Sequence, residues 1–305
     1  MASPQHFRIF PALKPPALKV SDPVFVKLRS EKSTGHASIV QTPETPEGRP
    51  VVQFLTDGST HPVNPARILA VYTEAPLIMI CKSTTDYRTL ARSQVYKNDA
   101  VVEIGSSYGV CTGILAQHAN SVFGLEVSPK LVEEARKRYP ALRFELLNVL
   151  ENKERTIELM QGVRKVFVDI GGNRTIGDVV KIVTLLNEAL KPDLICIKSE
   201  EMVDDAEKHL NGSSDGVIPD GQAWFEGLQT RHAINVSKSI APEQWYLNAR
   251  KAGFTRNPLR YPMRVTADGN AICRLHNYKA AGCPKVDAAD LRALPQPHPR
   301  TAAVV

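Results

Sequence analysis

Residues 101–109, Val-Val-Glu-Ile-Gly-Ser-Ser-Tyr-Gly, decide the fold of this 305-residue chain. An apolar run that carries one acid leads into two glycines spaced four residues apart. Buried parallel strands have this composition, and glycine permits a tight turn from the strand into a helix. A second apolar run, residues 122–126, ends in Glu126 about one strand–helix unit later. The pattern predicts neighbouring strands of an open α/β sheet.

Gly105 and Glu126 are expected to face one crevice, because ligands of open α/β sheets bind beyond the carboxyl ends of the strands. A carboxylate at this place accepts hydrogen bonds from both hydroxyls of a ribose, and glycine leaves room for a ligand against the backbone. The dinucleotide fingerprint G-x-G-x-x-G is not present, since Ser107 and Val110 occupy its second and third glycine positions. The sequence therefore predicts a nucleoside site without a pyrophosphate loop.

The E-x-G-x-x-x-G pattern followed by Glu126 resembles the first motifs of class I S-adenosylmethionine-dependent methyltransferases. The resemblance covers residues 84–278 and implies a seven-stranded Rossmann-like α/β sheet ending in an antiparallel hairpin, residues 254–264 and 271–276. It also implies S-adenosyl-L-methionine as the cofactor and no metal. The residues that it assigns to the cofactor are Glu103, Gly105, Ser106, Ser107, Gly109, Glu126 and Asn148.

The resemblance gives three of these side chains separate roles. Glu103 would orient the ammonium group of the cofactor, Glu126 would bind the ribose, and Asn148 would reach the adenine amino group. Simpler interpretations stay open: Glu126 as a surface acid, Asn148 as a solvent-facing polar residue, and Gly113 as a helix-packing glycine.

Asp169 and Lys198 end two further predicted strands, residues 165–170 and 194–198. An acid–lysine pair at this edge would let the lysine hold or deprotonate a hydroxyl group. The pair resembles the catalytic Asp and second Lys of ribose 2′-O-methyltransferases of the fibrillarin and FtsJ types. Those enzymes also use a first lysine, for which Lys82, Arg88 and Arg92 are candidates, and a last Glu or His, for which Glu243 and His276 are candidates. The alternative is a structural ion pair.

The charge of the chain, formally +6, is unevenly distributed. Five cations and no acid fall within residues 250–264, which suits phosphate contacts as well as a solvated surface. We therefore expect RNA as the substrate, bound through Arg256, Arg260 and Arg264. The alternatives are a noncatalytic RNA-binding or protein-binding module with this fold, and a methyltransferase of small molecules or proteins.

The segments outside the predicted α/β sheet have their own patterns. Residues 22–73 contain four short β-type runs and resemble SH3-like or Tudor-like small barrels; the alternative is an N-terminal β extension packed on the catalytic domain. We expect residues 1–21 to be a flexible leader and residues 285–305 a disordered tail. Residues 203–240, with Trp224 and Phe225, are expected to be an insertion that forms either a lid or a surface elaboration.

The five cysteines are scattered without a C-x-x-C pair, which argues against a zinc site and predicts Cys111 and Cys196 as core residues. This cysteine usage indicates a reducing intracellular compartment, whether cytoplasmic, nuclear or organellar. No apolar run reaches the length that spans a bilayer, so we expect no membrane partner.

Overall fold

The computed structural model describes residues 5–13, 17–27, 35–43, 45, 48–170 and 176–233. Its strands are β1 His6–Phe10, β2 Pro23–Val26, β3 Gly35–Gln41, β4 Val51–Phe54, β5 Thr60–Pro62, β6 Ile68–Ala70, β7 Leu77–Cys81, β8 Ala100–Ile104, β9 Ser121–Glu126, β10 Arg143–Leu146, β11 Lys165–Val168 and β12 Leu194–Lys198. Its α-helices are α1 Thr84–Ser93, α2 Val110–His118, α3 Pro129–Arg138, α4 Lys153–Leu159, α5 Ile176–Ala189, α6 Glu200–Ala206 and α7 Gly221–Ala233.

Seven parallel strands form the main sheet, in the order β1-β7-β12-β11-β8-β9-β10. The chain runs outward from β8 through β9 to β10, and then returns to β11 and β12 on the other side of β8. This reversal is the switch point of a doubly wound sheet, where a crevice opens between the helices. The predicted seven-stranded Rossmann-like α/β class is confirmed.

Two hydrophobic clusters cover the two faces of the sheet. One contains Tyr87 of α1 and Leu115 of α2, together with Phe167 of β11. The other contains Leu186 of α5 and Leu228 of α7. Both cysteines predicted as core residues are buried, and Cys81 is buried as well.

The strands beyond β12 differ from the prediction. The sequence resemblance implied a C-terminal hairpin, residues 254–264 and 271–276, which lies outside the described residues; in the structure β7 pairs with β12 and β1 pairs with β7, all parallel. Every residue of β7 is buried, as its unbroken apolar run requires. The prediction of a flexible leader is wrong for β1, because Phe7 is 1% exposed and packs on Trp224 and Phe225 with ring centroids 5.6 and 5.5 Å apart.

A smaller antiparallel sheet has the strand order β5-β4-β3-β2-β6. It contains the four predicted strands and one more, β5. Because β1 and β7 are neighbours in the main sheet, the small sheet lies within the crossover between them and is not an N-terminal extension. His36 of β3 joins it to the main sheet region, stacking on Tyr96 at 4.0 Å and hydrogen-bonding the carbonyl of Ser93 at 2.9 Å. Its likeness to SH3-like or Tudor-like barrels stays a prediction.

Several side chains in the described part of residues 203–240 belong to the core, among them Trp224 and Phe225. Trp224 is 4% exposed and Phe225 2% exposed, and the indole nitrogen of Trp224 donates to Asp205 at 3.0 Å. These two aromatic side chains therefore anchor α7 and do not form a lid, while residues 234–240 lie outside the described residues, as do residues 285–305. Within the described ranges, no helix combines the length and the apolar character needed to cross a membrane.

Candidate active site

Most of the predicted site residues lie in one row along the carboxyl ends of four adjacent strands. Lys198 ends β12, Asp169 follows β11, Gly105 follows β8 and Glu126 ends β9. Direct contacts join neighbours in this row, as described below, and Asn148 follows β10 at the next position. The structure thus brings together groups that lie up to 93 residues apart in the sequence, from Gly105 to Lys198.

Glu126 is held in place by two backbone N–H groups. The Ser107 N–H donates to one carboxylate oxygen at 3.0 Å, and the Ser128 N–H donates to the other at 2.9 Å. The residue is 7% exposed, which excludes the alternative of a surface acid. Each carboxylate oxygen has a second acceptor site, so the fixed group can still accept two hydrogen bonds from a ligand.

Gly105 marks the closest approach of two strand ends. It has a φ of +84°, and a Cβ atom there would lie 2.1 Å from the carbonyl oxygen of Asp169. Glycine is therefore required by the packing of β11 against β8 as well as by the turn. At Gly109, with φ of +73°, a Cβ atom would lie 2.6 Å from the Phe144 ring. The packing of the fold therefore requires glycine at both positions, whether or not a ligand binds beside the loop.

Glu103 points into the protein instead of along the row. It is 2% exposed, and the Thr112 hydroxyl of α2 donates to its carboxyl group at 2.5 Å. Burial raises the pKa of Glu103 to about 8, and the nearby charge of Asp169 also raises it, against hydrogen bonds from Thr112 and Cys111 that lower it. A role of Glu103 toward the cofactor ammonium group stays a prediction.

Asp169 and Lys198 form the predicted pair, with 2.8 Å between Nζ and a carboxylate oxygen. The two side chains are 21% and 23% exposed, so the pair lies at the boundary between core and solvent. An amine in this position can bind or exchange a proton with a ligand in the crevice, while the carboxylate fixes its orientation. Of the candidates for a first lysine, Lys82 follows the neighbouring β7, but its ammonium group is bonded to Asp204 at 2.6 Å.

The remaining predicted residues have mainly local contacts. The Asn148 side-chain oxygen accepts from the Leu150 N–H at 3.2 Å, and the residue is half-buried. The Ser106 hydroxyl is buried, and among the described residues it has no hydrogen-bond partner. Gly113 is a packing glycine, since a Cβ atom there would lie 2.7 Å from the Tyr139 ring. Arg256, Arg260 and Arg264 lie outside the described residues, as do Glu243 and His276.

Three exposed apolar side chains, which the sequence analysis did not assign to the site, follow or end the strands beside Glu126. Tyr108 is 37% exposed, Val127 50% and Leu146 51%. They belong to the ends of β8, β9 and β10, and Leu146 is the register partner of Glu126. Val127 directly follows the strand-end acid Glu126, which is a signal that the sequence contains. Together the three side chains give the crevice an apolar rim that suits the flat face of a nucleobase.

Comparison with known proteins gives short matches. No protein-family model matches the chain. Over 60 residues, 20% of the chain, it is 37% identical to the probable ribosomal RNA small subunit methyltransferase A of Thermococcus onnurineus (strain NA1), and it covers 22% of that protein. The chain thus spans about a fifth of the length of this curated relative.

Two solved structures that resemble part of the chain are methyltransferases by name. The 23S rRNA methyltransferase ErmE matches 42% of this chain and 51% of its own chain, at 17% identity and a TM-score of 0.32. An RNA methyltransferase from Salinibacter ruber in complex with S-adenosyl-L-homocysteine matches 34% of this chain and 64% of its own, at 21% identity and a TM-score of 0.27. Strand order and switch point decide the fold. It is a doubly wound, Rossmann-like α/β fold.

Proposed function

We propose that this chain is an S-adenosyl-L-methionine-dependent methyltransferase that acts on RNA. The observation that carries the proposal is the geometry of Glu126: a buried carboxylate at the end of β9, fixed by two backbone N–H groups beside the glycine turn. A ribose diol offers two donors at the spacing of two carboxylate oxygens. The short match to a ribosomal RNA methyltransferase supports the same class.

The residues present fit this cofactor. Glu126 would hold the ribose, and the exposed apolar side chains of Val127 and Leu146 would contact the adenine. Residues 105–109 would lie against the methionine part, with Ser106 and Ser107 in the turn. Asn148, next along the strand ends, would bind the adenine amino group through its side-chain oxygen, which has one acceptor site beyond its bond to Leu150.

Lys198 and Asp169 would serve the methyl acceptor. When bound, the cofactor supplies a methyl group that its sulfonium already activates, so the protein has mainly to position the acceptor and exclude water. In its neutral form, Lys198 would accept the proton that an acceptor hydroxyl loses, and Asp169 would hold the resulting ammonium group at 2.8 Å. This chemistry favours a hydroxyl acceptor, such as a ribose of RNA, and Arg256, Arg260 and Arg264 would contact its phosphates.

Glu126→Ala tests the cofactor site. Two hydrogen bonds to a charged group are lost, so we expect S-adenosylhomocysteine to bind about 100- to 10,000-fold more weakly in calorimetric titration. Glu188→Gln removes an exposed acid of α5 and is expected to leave the affinity unchanged. Unchanged affinity in a folded Glu126→Ala protein would remove Glu126 from this role.

Transfer of labelled methyl groups into separate RNA, protein and small-metabolite fractions tests the substrate. We expect label in RNA with the wild-type protein, and no transfer with Lys198→Ala or Asp169→Asn although both still bind the cofactor. Full turnover by Lys198→Ala would show that the ion pair is structural. Label in another fraction would identify a different acceptor, and RNA binding without any transfer would identify a noncatalytic module.

A further inference from the structure

The two layers of helices that cover the main sheet carry opposite charge. Helices α1, α2 and α3 lie on one face, because Phe144, which packs with α3, shares its face through the register of β10, β9, β8 and β11 with Phe167, which packs with α1 and α2. These three helices contain six cations and three acids. Helices α4, α5 and α6, whose apolar side chains pack in the other cluster, contain three cations and eight acids. We call the cationic side the α1–α3 layer.

The acids of the α1–α3 layer are already partnered, and three of its cations are not. Glu133 and Glu134 both pair with Lys137, at 2.6 and 3.8 Å, and the third acid, in the first turn of α1, accepts from the N-cap hydroxyl. Arg92 and Arg136 donate to backbone carbonyl groups. Within the ranges that the structure describes, three cations have no side-chain hydrogen bond or ion pair: Arg88, Lys130 and Arg138.

These three cations lie on the helices next to the candidate cofactor crevice. Lys130 is exposed and lies in the first turn of α3, directly beyond β9. Arg88 of α1 is close to Cys111, in the first turn of α2: burial raises the pKa of this thiol, and the Arg88 guanidinium lowers it. Arg138 ends α3 and is exposed. Their positive charge is therefore available to a ligand on this face.

Tyr108 adds an aromatic surface to the α1–α3 layer. It directly follows Ser107, whose N–H fixes Glu126, so it belongs to the turn at the crevice. Arg138 lies over its ring, 5.6 Å from the centroid, and the residue is 37% exposed. The contacts proposed for the cofactor do not include Tyr108. An exposed ring backed by a guanidinium group is a surface on which the bases of single-stranded nucleic acids stack.

We propose that the α1–α3 layer binds single-stranded RNA beside the crevice, with Tyr108 stacking on one base and Arg88, Lys130 and Arg138 contacting phosphates. The inference rests on the proposed function and names the surface that holds its substrate. Phosphates supply the negative charge that this layer lacks, and the acidic α4–α6 side repels them. An acidic protein segment would satisfy the cations but would leave the exposed ring unused, so RNA fits the surface better.

Fluorescence anisotropy of a labelled single-stranded RNA of about 12 nucleotides, titrated with the full chain at several salt concentrations, tests the surface. Removing all three unpaired cations with Arg88→Gln, Lys130→Gln and Arg138→Gln should weaken binding. The slope of log affinity against log salt should become shallower by about 2, since each phosphate contact with a single strand contributes about 0.7. The matched control removes the same charge from the other layer: Lys153→Gln, Arg155→Gln and Lys181→Gln. This control should leave the slope unchanged.

Substitution of Tyr108 tests the stacking separately from the charge. Tyr108→Leu should weaken RNA binding about 10-fold, whereas Tyr108→Phe, which keeps the ring, should retain it. Equal RNA affinity of the two variants would contradict stacking at this residue. If Tyr108→Leu lost as much affinity for S-adenosylhomocysteine as for RNA, Tyr108 would belong to the cofactor site instead.

Two results with the charge variants would overturn the inference: equal losses of RNA affinity in the two triple variants, or wild-type affinity and slope in the α1–α3 variant. If that variant does not fold, the exposed pair Lys130→Gln and Arg138→Gln gives the same test against Lys153→Gln and Arg155→Gln. RNA binding through this layer by a protein that transfers no methyl group would contradict the proposed function alone. Methyl transfer into RNA at the wild-type rate by the α1–α3 variant would contradict only the surface.

Discussion

Replacing Gly105 with alanine separates two requirements that meet at this residue. Gly105 has a φ of +84° and Gly212 has a φ of +83°, but a Cβ atom at Gly212 would meet nothing within 4 Å. At Gly105 the same atom would lie 2.1 Å from the Asp169 carbonyl oxygen. The two substitutions therefore place alanine at nearly the same positive φ, and only the one at Gly105 brings its Cβ atom against the end of β11.

Two costs determine the expected losses of stability: the left-handed conformation of alanine at both positions and, at Gly105 only, the close contact with the end of β11. A left-handed alanine costs about 1–2 kcal/mol, which is the full expectation for Gly212→Ala. Gly105→Ala must also move the end of β11 away from β8 by roughly 1 Å to restore van der Waals distance, and overpacking of this kind costs a further ~1–3 kcal/mol. We therefore expect the free energy of unfolding to fall by about 3 kcal/mol for Gly105→Ala.

Urea denaturation of both variants measures the difference, with the wild-type protein and its m-value as reference. Because Asp169 would move with its carbonyl group, we also expect Gly105→Ala to lose methyl transfer, while Gly212→Ala retains it. Equal losses of stability in the two variants would refute the close approach of β8 and β11 as the reason for glycine at this position.

Two other predictions concern buried side chains. Phe7→Ala should lower the free energy of unfolding, measured by urea denaturation, by about 3–5 kcal/mol. The control Leu13→Ala, at an 87% exposed position, should change it by less than about 0.5 kcal/mol. A negligible effect of Phe7→Ala would support a flexible leader after all. Burial raises the pKa of Glu103 from the ordinary value of 4.5 to about 8 in the folded protein. Because the folded protein binds this proton more tightly than the unfolded chain, the protonated Glu103 contributes stability below pH 4.5, and this contribution is lost as the pH rises toward 8. The free energy of unfolding of Glu103→Gln, relative to that of the wild type, should therefore increase by about 2–3 kcal/mol between pH 5 and pH 7. A constant difference across this range would show that Glu103 titrates normally.

Sequence patterns predicted the part of the fold in which strands and helices alternate. Strand β12, Leu194–Lys198, has the predicted bounds, because an apolar run ending in lysine is a strong local signal. The sheet edge formed by β1 and β7 was not predicted, because the strands that pair with these two five-residue runs are distant from them in the sequence. Their pairing depends on packing against α7 and β12, which no local pattern shows.

The candidate site was predicted by residue type but not by orientation. Glu126 and the Asp169–Lys198 pair lie where the strand ends place them. Glu103 was also predicted at this edge, yet it lies inside β8, two residues before Gly105, and its buried carboxyl group accepts from Thr112 of α2. It shares a face of the sheet with Glu126 and Asp169, so the depth along the strand decides which of these acids reaches a ligand.

The position of the small antiparallel sheet has a consequence for the order of folding. During synthesis β1 emerges before the small sheet, and its partner β7 begins at Leu77, after all five strands of the small sheet have been made. Those five strands pair mostly with sequence neighbours, so they can form early and bring the two ends of the connection together, which lowers the entropy cost of joining β1 to β7. Strand β1 would then be among the last to find its place, and shortening the connection should speed that final step.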